Sequence, residues 1–310
     1  MSLIAGQTVD QRLIRPSCAL TLLSVTQTLS RHLNEHDMAG DSWLNKTVVI
    51  SGGSSGLGLH LAQAAAKQGA YVTILGRSPE KLTVAKEEIK QKTHQDVKSF
   101  AVDATSSHAS TEFIQWVENQ SVDLLINAIG RSDRGRLEQL NQSDLESLFR
   151  DNVLTTATMT QTMLPSLKKA SGCIVNIGSL AGVIASPQMG GYCVSKFALS
   201  AYSAQLRLEL QESNVHVLLV SPGPIRRDDS HNRYKELVHE RGMEKSGANA
   251  PGGGANLRLL DPERLSESIL RSALNRDLQL VLPAKVKWLA AIRMIWPWLG
   301  DQILKRNLKH

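Results

Sequence analysis

The chain has 310 residues, enough for one large α/β domain with appendages, and its 42% hydrophobic and 21% charged residues exclude collagen-like, coiled-coil and wholly disordered chains. Cys18, Cys173 and Cys193 lack CxxC spacing and cannot all pair, which excludes a disulfide-stapled module and a zinc ribbon and points to a reducing, cytoplasmic compartment. The net charge of +6 is concentrated at the end: Lys285, Lys287, Arg293, Lys305, Arg306 and Lys309 face only Asp301 from Pro283 to His310, and the rest has no basic stripe for nucleic acid.

Residues 1–45 read as an N-terminal extension in which Leu20, Leu23, Leu29 and Leu33 allow a helix; His32 and His36 would share its face, but with no third ligand no metal site is expected. From Lys46 onward, short β-branched runs alternate with helical stretches. Strands are expected at Thr47–Ile50, Ala70–Leu75, Val97–Val102, Val122–Asn127, Cys173–Ile177, Val215–Val220 and Leu278–Leu282. Helices are expected at Leu57–Gln68, Pro79–Lys92, Ser107–Asn119, Ser143–Lys169, Met189–Glu212 and Pro262–Asn275. Such alternation predicts a Rossmann-like, doubly wound parallel sheet of about seven strands with helices on both faces, spanning 46–283. Ser221–Leu260 fits neither pattern throughout and reads as a substrate lid within that domain. Trp43, Tyr71 and Trp116 read as packing residues.

The first strand runs into Ser51-Gly52-Gly53-Ser54-Ser55-Gly56-Leu57-Gly58, after which a helix begins. Glycines at a strand-to-helix turn let backbone approach a pyrophosphate, and the helix N-terminus offers it free N–H groups; an ordinary glycine-rich turn is the plainer alternative. At the second strand's end, where an NAD-binding chain places an acid on the ribose 2′-hydroxyl, the sequence reads Gly76-Arg77. Arg77 could grip a 2′-phosphate, favouring NADP(H), or be a solvated surface arginine. Tyr192 and Lys196 share a helix face at i, i+4. A phenol has an unperturbed pKa of about 10, and bringing it to neutrality requires roughly 4 kcal/mol of preferential phenolate stabilisation, which a lysine and a cationic nicotinamide can supply.

These motifs, in this order, resemble those of the short-chain dehydrogenase/reductase family from about Asn45 to Pro283. Ser51–Gly58 is similar to its TGxxxGxG cofactor motif, Asp103 to its adenine-contacting aspartate, Asn127-Ala128-Ile129-Gly130 to its NNAG strand end and Tyr192/Lys196 to its YxxxK. Ser179 and Asn152 match its substrate-orienting serine and its helix asparagine. The resemblance implies that Tyr192 exchanges a proton with a carbonyl or alcohol oxygen held by Ser179, that Lys196 binds the nicotinamide ribose, and that Asn152 holds a proton-relay water. It likewise implies that Ser51, Gly52, Ser54, Ser55, Gly56, Leu57, Gly58, Arg77, Asp103, Ala104, Asn127, Gly130, Tyr192, Lys196, Pro222, Gly223 and Ile225 line the NADP site. Ala128 and Ile129 depart from the pattern, and Arg227 stands where the family commonly has a carboxamide-contacting threonine.

The expected activity is therefore NADP(H)-dependent interconversion of a ketone or aldehyde with its alcohol, in the reductive direction, by a homodimer or homotetramer. A non-catalytic NADP sensor or scaffold is the alternative. An epimerase or dehydratase is disfavoured by the short stretch after the last strand. That stretch, 284–310, is basic, and between Lys285 and Leu308 its apolar residues recur at three- and four-residue steps across Pro297, with three of the five tryptophans. It reads either as a peripheral membrane contact or as a helix packed on its own domain or a neighbouring subunit.

Overall fold

Strand β1 (Thr47–Ser51) is buried on both sides, with Val48 and Ile50 in one hydrophobic core and Val49 in the other, as the middle of a parallel sheet requires. The computed structural model describes residues 42–104, 111–227, 234–243, 252 and 257–307; the expected helix in 1–45, His32 and His36 lie outside them, as do the start of the helix expected at Ser107 and much of the lid. β2 (Tyr71–Gly76), β3 (Lys98–Ala101), β4 (Leu124–Asn127), β5 (Cys173–Ile177), β6 (His216–Pro222) and β7 (Gln279–Leu282) complete a seven-stranded sheet in the order β3-β2-β1-β4-β5-β6-β7. Every neighbouring pair is parallel.

One face carries α1 (Gly56–Lys67), α2 (Pro79–Thr93) and α8 (Pro262–Leu274), whose Leu61, Ala65, Leu82, Ile89, Leu265 and Ile269 share a core with Ile50, Ile74 and Ile126. The other carries α3 (Thr111–Asn119), α5 (Thr155–Ala170) and α6 (Gly190–Glu209), with Phe113, Met159, Met163 and Leu206 packed on Val49, Leu125 and Ile174. Local chemistry sets several of these ends. Ser78 caps α2 by accepting from the Lys81 N–H at 3.2 Å ahead of Pro79, and Asp261 caps α8 ahead of Pro262.

The structure refines the sequence reading in four places. The single helix expected over Ser143–Lys169 is two, α4 (Gln142–Phe149) and α5, joined by a π-helical turn at Arg150–Leu154. The lid segment contains α7 (Lys235–Glu240). Beyond β7 the chain forms α9 (Val286–Ile295) and α10 (Pro297–Asn307), broken where proline cannot continue a helix. Trp43 packs in the core and Trp116 beside Phe100 and Phe113, as expected, whereas Tyr71 is exposed, its hydroxyl donating to Asn45 Oδ1 at 3.3 Å.

Candidate active site

The strand order reverses direction of growth between β1 and β4, which opens a crevice at the carboxyl edge there. Register pairs Ser51 with Asn127, and the Ala128 N–H donates to the Ser51 carbonyl at 2.8 Å, so the glycine turn and the Asn127–Gly130 segment leave the sheet side by side. Gly52 has φ +84°, and Ile129 lies against it. A β-carbon on Gly58 would stand 2.0 Å from the Gly52 carbonyl oxygen, so the first turn of α1 rests directly on the strand end. Ser51 and Leu57 are buried, while Ser54, Ser55 and Gly56 form the open rim of the turn. Ser55 precedes α1 without a side-chain cap, leaving the first-turn N–H groups to an outside acceptor. The turn is thus a bare backbone concavity of the kind that admits a pyrophosphate.

The other sequence-predicted cofactor residues lie along the same edge. Arg77 follows β2 and is exposed; Asp103 and Ala104 follow β3, with Ala104 buried. Asn127 donates through Nδ2 to Thr160 Oγ1 (3.1 Å) and Asn176 Oδ1 (2.9 Å), a polar brace inside the core, and its buried Oδ1 has no hydrogen-bond partner among the described residues. Pro222 ends β6, the Gly223 N–H donates to the Leu282 carbonyl at 2.7 Å, and Ile225 bridges to Leu260. Arg227 does not point away from this edge: its Nη2 comes within 3.8 Å of where a Gly56 β-carbon would stand, over the mouth of the glycine turn.

The four catalytic candidates meet one strand further on. Ser179 follows β5 and caps a 3-10 turn, Leu180–Gly182, accepting from the Ala181 N–H at 3.1 Å. That turn packs on α6, where the Ser200 hydroxyl donates to the Gly182 carbonyl at 3.1 Å, so the position of Ser179 is tied to the helix bearing Tyr192 and Lys196. The Ser179 hydroxyl acts on the Tyr192 phenol and favours its ionised form. Lys196 Nζ lies 5.9 Å from the centroid of the Tyr192 ring and donates to the Ile177 carbonyl at 2.9 Å. The π-turn aims Asn152 inward, wholly buried: its Oδ1 accepts from the Arg131 N–H at 2.8 Å, and its Nδ2 donates to the Arg131 carbonyl (2.9 Å) and Ser195 Oγ (3.0 Å). Gly130 faces both, since a β-carbon there would lie 2.8 Å from Asn152 Oδ1 and 3.3 Å from Lys196 Nζ.

Burial dominates the titration of this cluster. It lowers Lys196 to about 8 and pushes Tyr192 up to about 12, although the Ser179 hydroxyl and the positive charge of Arg134 pull the phenol down. The protein's own groups therefore leave the phenol protonated at neutral pH; the lowering expected from the sequence combined the lysine with a cationic nicotinamide. Desolvation exceeds the effect of a cation nearly 6 Å from the ring.

The sequence profile described as short chain dehydrogenase matches residues 46–237. The chain belongs to the short-chain dehydrogenase family. It is 31% identical to dehydrogenase/reductase SDR family member 7B of Danio rerio over 295 residues, covering 92% of this chain and 90% of that one. A 3-ketodihydrosphingosine reductase of Bacteroides thetaiotaomicron is 32% identical over 60% of this chain and 66% of its own length. Among solved structures, L-sorbose reductase from Gluconobacter frateurii, complexed with NADPH and L-sorbose, superposes with a TM-score of 0.67 at 23% identity, covering 78% of this chain and 96% of that one.

This short-chain dehydrogenase, an oxidoreductase by family, also has polar residues beside the cluster that sequence reasoning missed. Arg134 is buried, its positive charge acting on Tyr192 and its guanidinium 3.8 Å from the centroid of the Tyr234 ring. The Tyr234 hydroxyl hydrogen-bonds Ser132, and Arg241 pairs with Asp133 at 3.0 Å and Asp144 at 3.3 Å. Around them lies a cavity of about 490 Å³. The partners are about a hundred residues apart in the chain, so no local spacing announces them.

Proposed function

We propose that this protein is an NADP(H)-dependent carbonyl reductase in which Tyr192 donates the proton to the substrate oxygen. The observation that carries this reading is the junction of Ser179, Tyr192, Lys196 and Asn152 within reach of the glycine turn. A nicotinamide cofactor supplies hydride when bound. The bare concavity at Gly52–Gly58 would hold its pyrophosphate, with Arg227 as an additional cation over the turn, and Arg77 would hold a 2′-phosphate. Ser179 orients the carbonyl oxygen toward Tyr192, whose phenol remains protonated until the oxygen takes its proton. Lys196, already easy to deprotonate at about 8, passes a proton toward the vacated phenolate and would hold the nicotinamide ribose. Asn152 fixes the main chain of Arg131 and so the wall behind Lys196.

Reduction is the favoured direction because NADPH pools are usually reduced, and a protonated phenol suits proton donation to a developing alkoxide. Carbonyl reduction is also the class of chemistry named in the L-sorbose and 3-ketodihydrosphingosine reductases, the former complexed with NADPH. A cytoplasmic homodimer or homotetramer fits the free, buried Cys173 and Cys193 and the exposed Leu154, Phe197 and Leu208 on neighbouring helical segments, and sedimentation of the purified chain reads its assembly.

NADPH oxidation against short, aromatic, steroid and long-chain ketones tests the activity. Tyr192→Phe should leave NADPH binding intact and lower kcat by about 10²–10⁴-fold. Turnover within about threefold of wild type would instead support a non-catalytic NADP-binding scaffold.

A further inference from the structure

Helices α9 and α10 fold back on one another as a closed hairpin. Gly300 is buried against the backbone of Arg293, where a β-carbon would lie 2.7 Å from the Arg293 α-carbon, and Arg293 Nε donates to Asp301 Oδ1 at 2.9 Å. The inward faces are semi-buried through Val286, Leu289 and Ile292. The outward face and the tip are apolar and uncovered: Trp288 is 76% exposed, Met294 87%, Trp296 60% and Trp298 74%, with Ile295 also exposed. Residues Ile295–Leu299 alone line a shallow groove of about 440 Å³ at the tip. Packing on the hairpin's own domain, the alternative raised by the sequence, therefore does not account for these side chains.

Charge decides what would cover them. From Pro283 onward six basic residues face one acid, and that acid is paired with Arg293. Lys285, Lys287 and Arg306 are exposed and have no ion-pair partner among the described residues. A second copy would bring an equally basic hairpin against this one, whereas an anionic lipid surface complements it. Tryptophan suits the level of the headgroups, and no helix among the described residues is long and apolar enough to cross a bilayer.

We propose that the hairpin Val286–Asn307 docks on an anionic phospholipid surface, with Trp288, Trp296 and Trp298 in the interfacial layer and Lys285, Lys287 and Arg306 against the headgroups. Docking would place the lipid near the carboxyl edge of the sheet, because the hairpin leaves the end of β7, where the Leu282 carbonyl accepts from the Gly223 N–H at 2.7 Å. A lipophilic carbonyl compound could then enter from the bilayer; this clause rests on the reductase reading, and the docking itself does not.

The test uses the full chain without cofactor or substrate, so it can fail independently of that reading. At low ionic strength the protein should co-sediment with vesicles of phosphatidylcholine containing phosphatidylserine, with a blue shift of tryptophan emission. It should bind pure phosphatidylcholine vesicles weakly and leave the anionic ones at high salt. Trp288→Ser/Trp296→Ser/Trp298→Ser should abolish the blue shift and the sedimentation. Lys285→Ala/Lys287→Ala/Arg306→Ala should weaken partition roughly 100-fold at low salt. All six side chains are exposed, and an unchanged circular dichroism spectrum checks that the variants fold. Wild-type protein that ignores anionic vesicles at low salt overturns the proposal, as does binding that the tryptophan variant retains. A tryptophan variant that turns a vesicle-indifferent dimer into a monomer overturns it in favour of a second copy.

Discussion

At the cofactor end of the cleft, backbone touches backbone: the first turn of α1 rests on the end of β1 so closely that Gly58 has no room for a methyl group, and Ile129 closes against Gly52. At the substrate end, side chains do the joining. Tyr234 reaches Ser132 and lies under Arg134, while Arg241 reaches Asp133 and Asp144 from the end of a helix only six residues long. Close backbone packing has one geometry and is lost as a whole when an atom is added. A few polar contacts on a short helix can be made and broken singly. The contrast suits a rigid cradle for a cofactor used by every reaction and a cover that opens for each substrate.

The sharpest way to break this comparison is Gly58→Ala. The methyl group would meet a main-chain oxygen that no rotamer change can move, so we expect more than about 4 kcal/mol of destabilisation or loss of NADPH binding altogether. Thermal unfolding and a fluorescence titration with NADPH check it. Near-wild-type binding would show that the cradle yields as easily as the lid.

Lys196, where the two ends meet, gives the next largest effect. It titrates near 8 when folded and near 10.5 as an ordinary lysine, so the unfolded chain binds more protons between those values and stability rises with pH across that window. Below about pH 8 the full cost of burying the charge applies, about 3 kcal/mol. Lys196→Met removes that charge. Relative to wild type, the variant's stability should be greatest at pH 7 and the difference should shrink toward pH 10, as chemical denaturation at several pH values would show. A difference independent of pH would mean that Lys196 is not desolvated.

The same contrast explains what could be read from the sequence. The strands, the glycine turn and the Tyr192/Lys196 pair carry local periodicity or spacing, and all of them emerge where expected. The π-turn at Arg150–Leu154 carries no such signal, because a helix with one wide turn keeps nearly the same apolar pattern; its role is visible only once Asn152 points at Gly130 and Arg131. Arg227 could be read as a departure from a motif, but not as a cation over Gly56, since that requires the fold to bring the end of β6 beside β1's turn. Arg134, Tyr234 and Arg241 left no trace, because partners a hundred residues apart share no spacing. The upward push of burial on Tyr192 left no trace either, since burial is a property of the packed core and not of the i, i+4 pair.

A smaller effect, confined to the cofactor end, concerns Arg77. It is exposed at the carboxyl end of β2, so its charge is available to a phosphate without cost to the fold. Arg77→Asp should move the ratio of kcat/KM for NADPH over NADH by about 100-fold toward NADH while leaving thermal stability unchanged, since it replaces a bidentate donor with a like charge. A wild type that uses both cofactors equally would remove Arg77 from the cofactor site.

The smallest expected effect tests the substrate end where it is held most lightly. Tyr234→Phe removes one hydroxyl and its hydrogen bond to Ser132, yet keeps the ring beside Arg134. A semi-buried side-chain hydrogen bond is worth about 1 kcal/mol, so the amides of α7 should exchange roughly fivefold faster by hydrogen exchange. The amides of α1 should not change, because the bond lost is to Ser132, after β4, and not to the glycine turn. Arg241 makes the informative control. Arg241→Met removes an ion-pair partner from Asp133, which is only 6% exposed, and weakening the pairing of a buried carboxylate costs more than a lost hydroxyl, so α7 should open further in that variant than in Tyr234→Phe. NADPH should slow exchange in α7 if the cover closes over bound cofactor, and should do so less in both variants. Equal exchange in α7 and α1, whatever the variant, would mean that cradle and cover are one cooperative unit and that the difference in how they are built has no dynamic consequence.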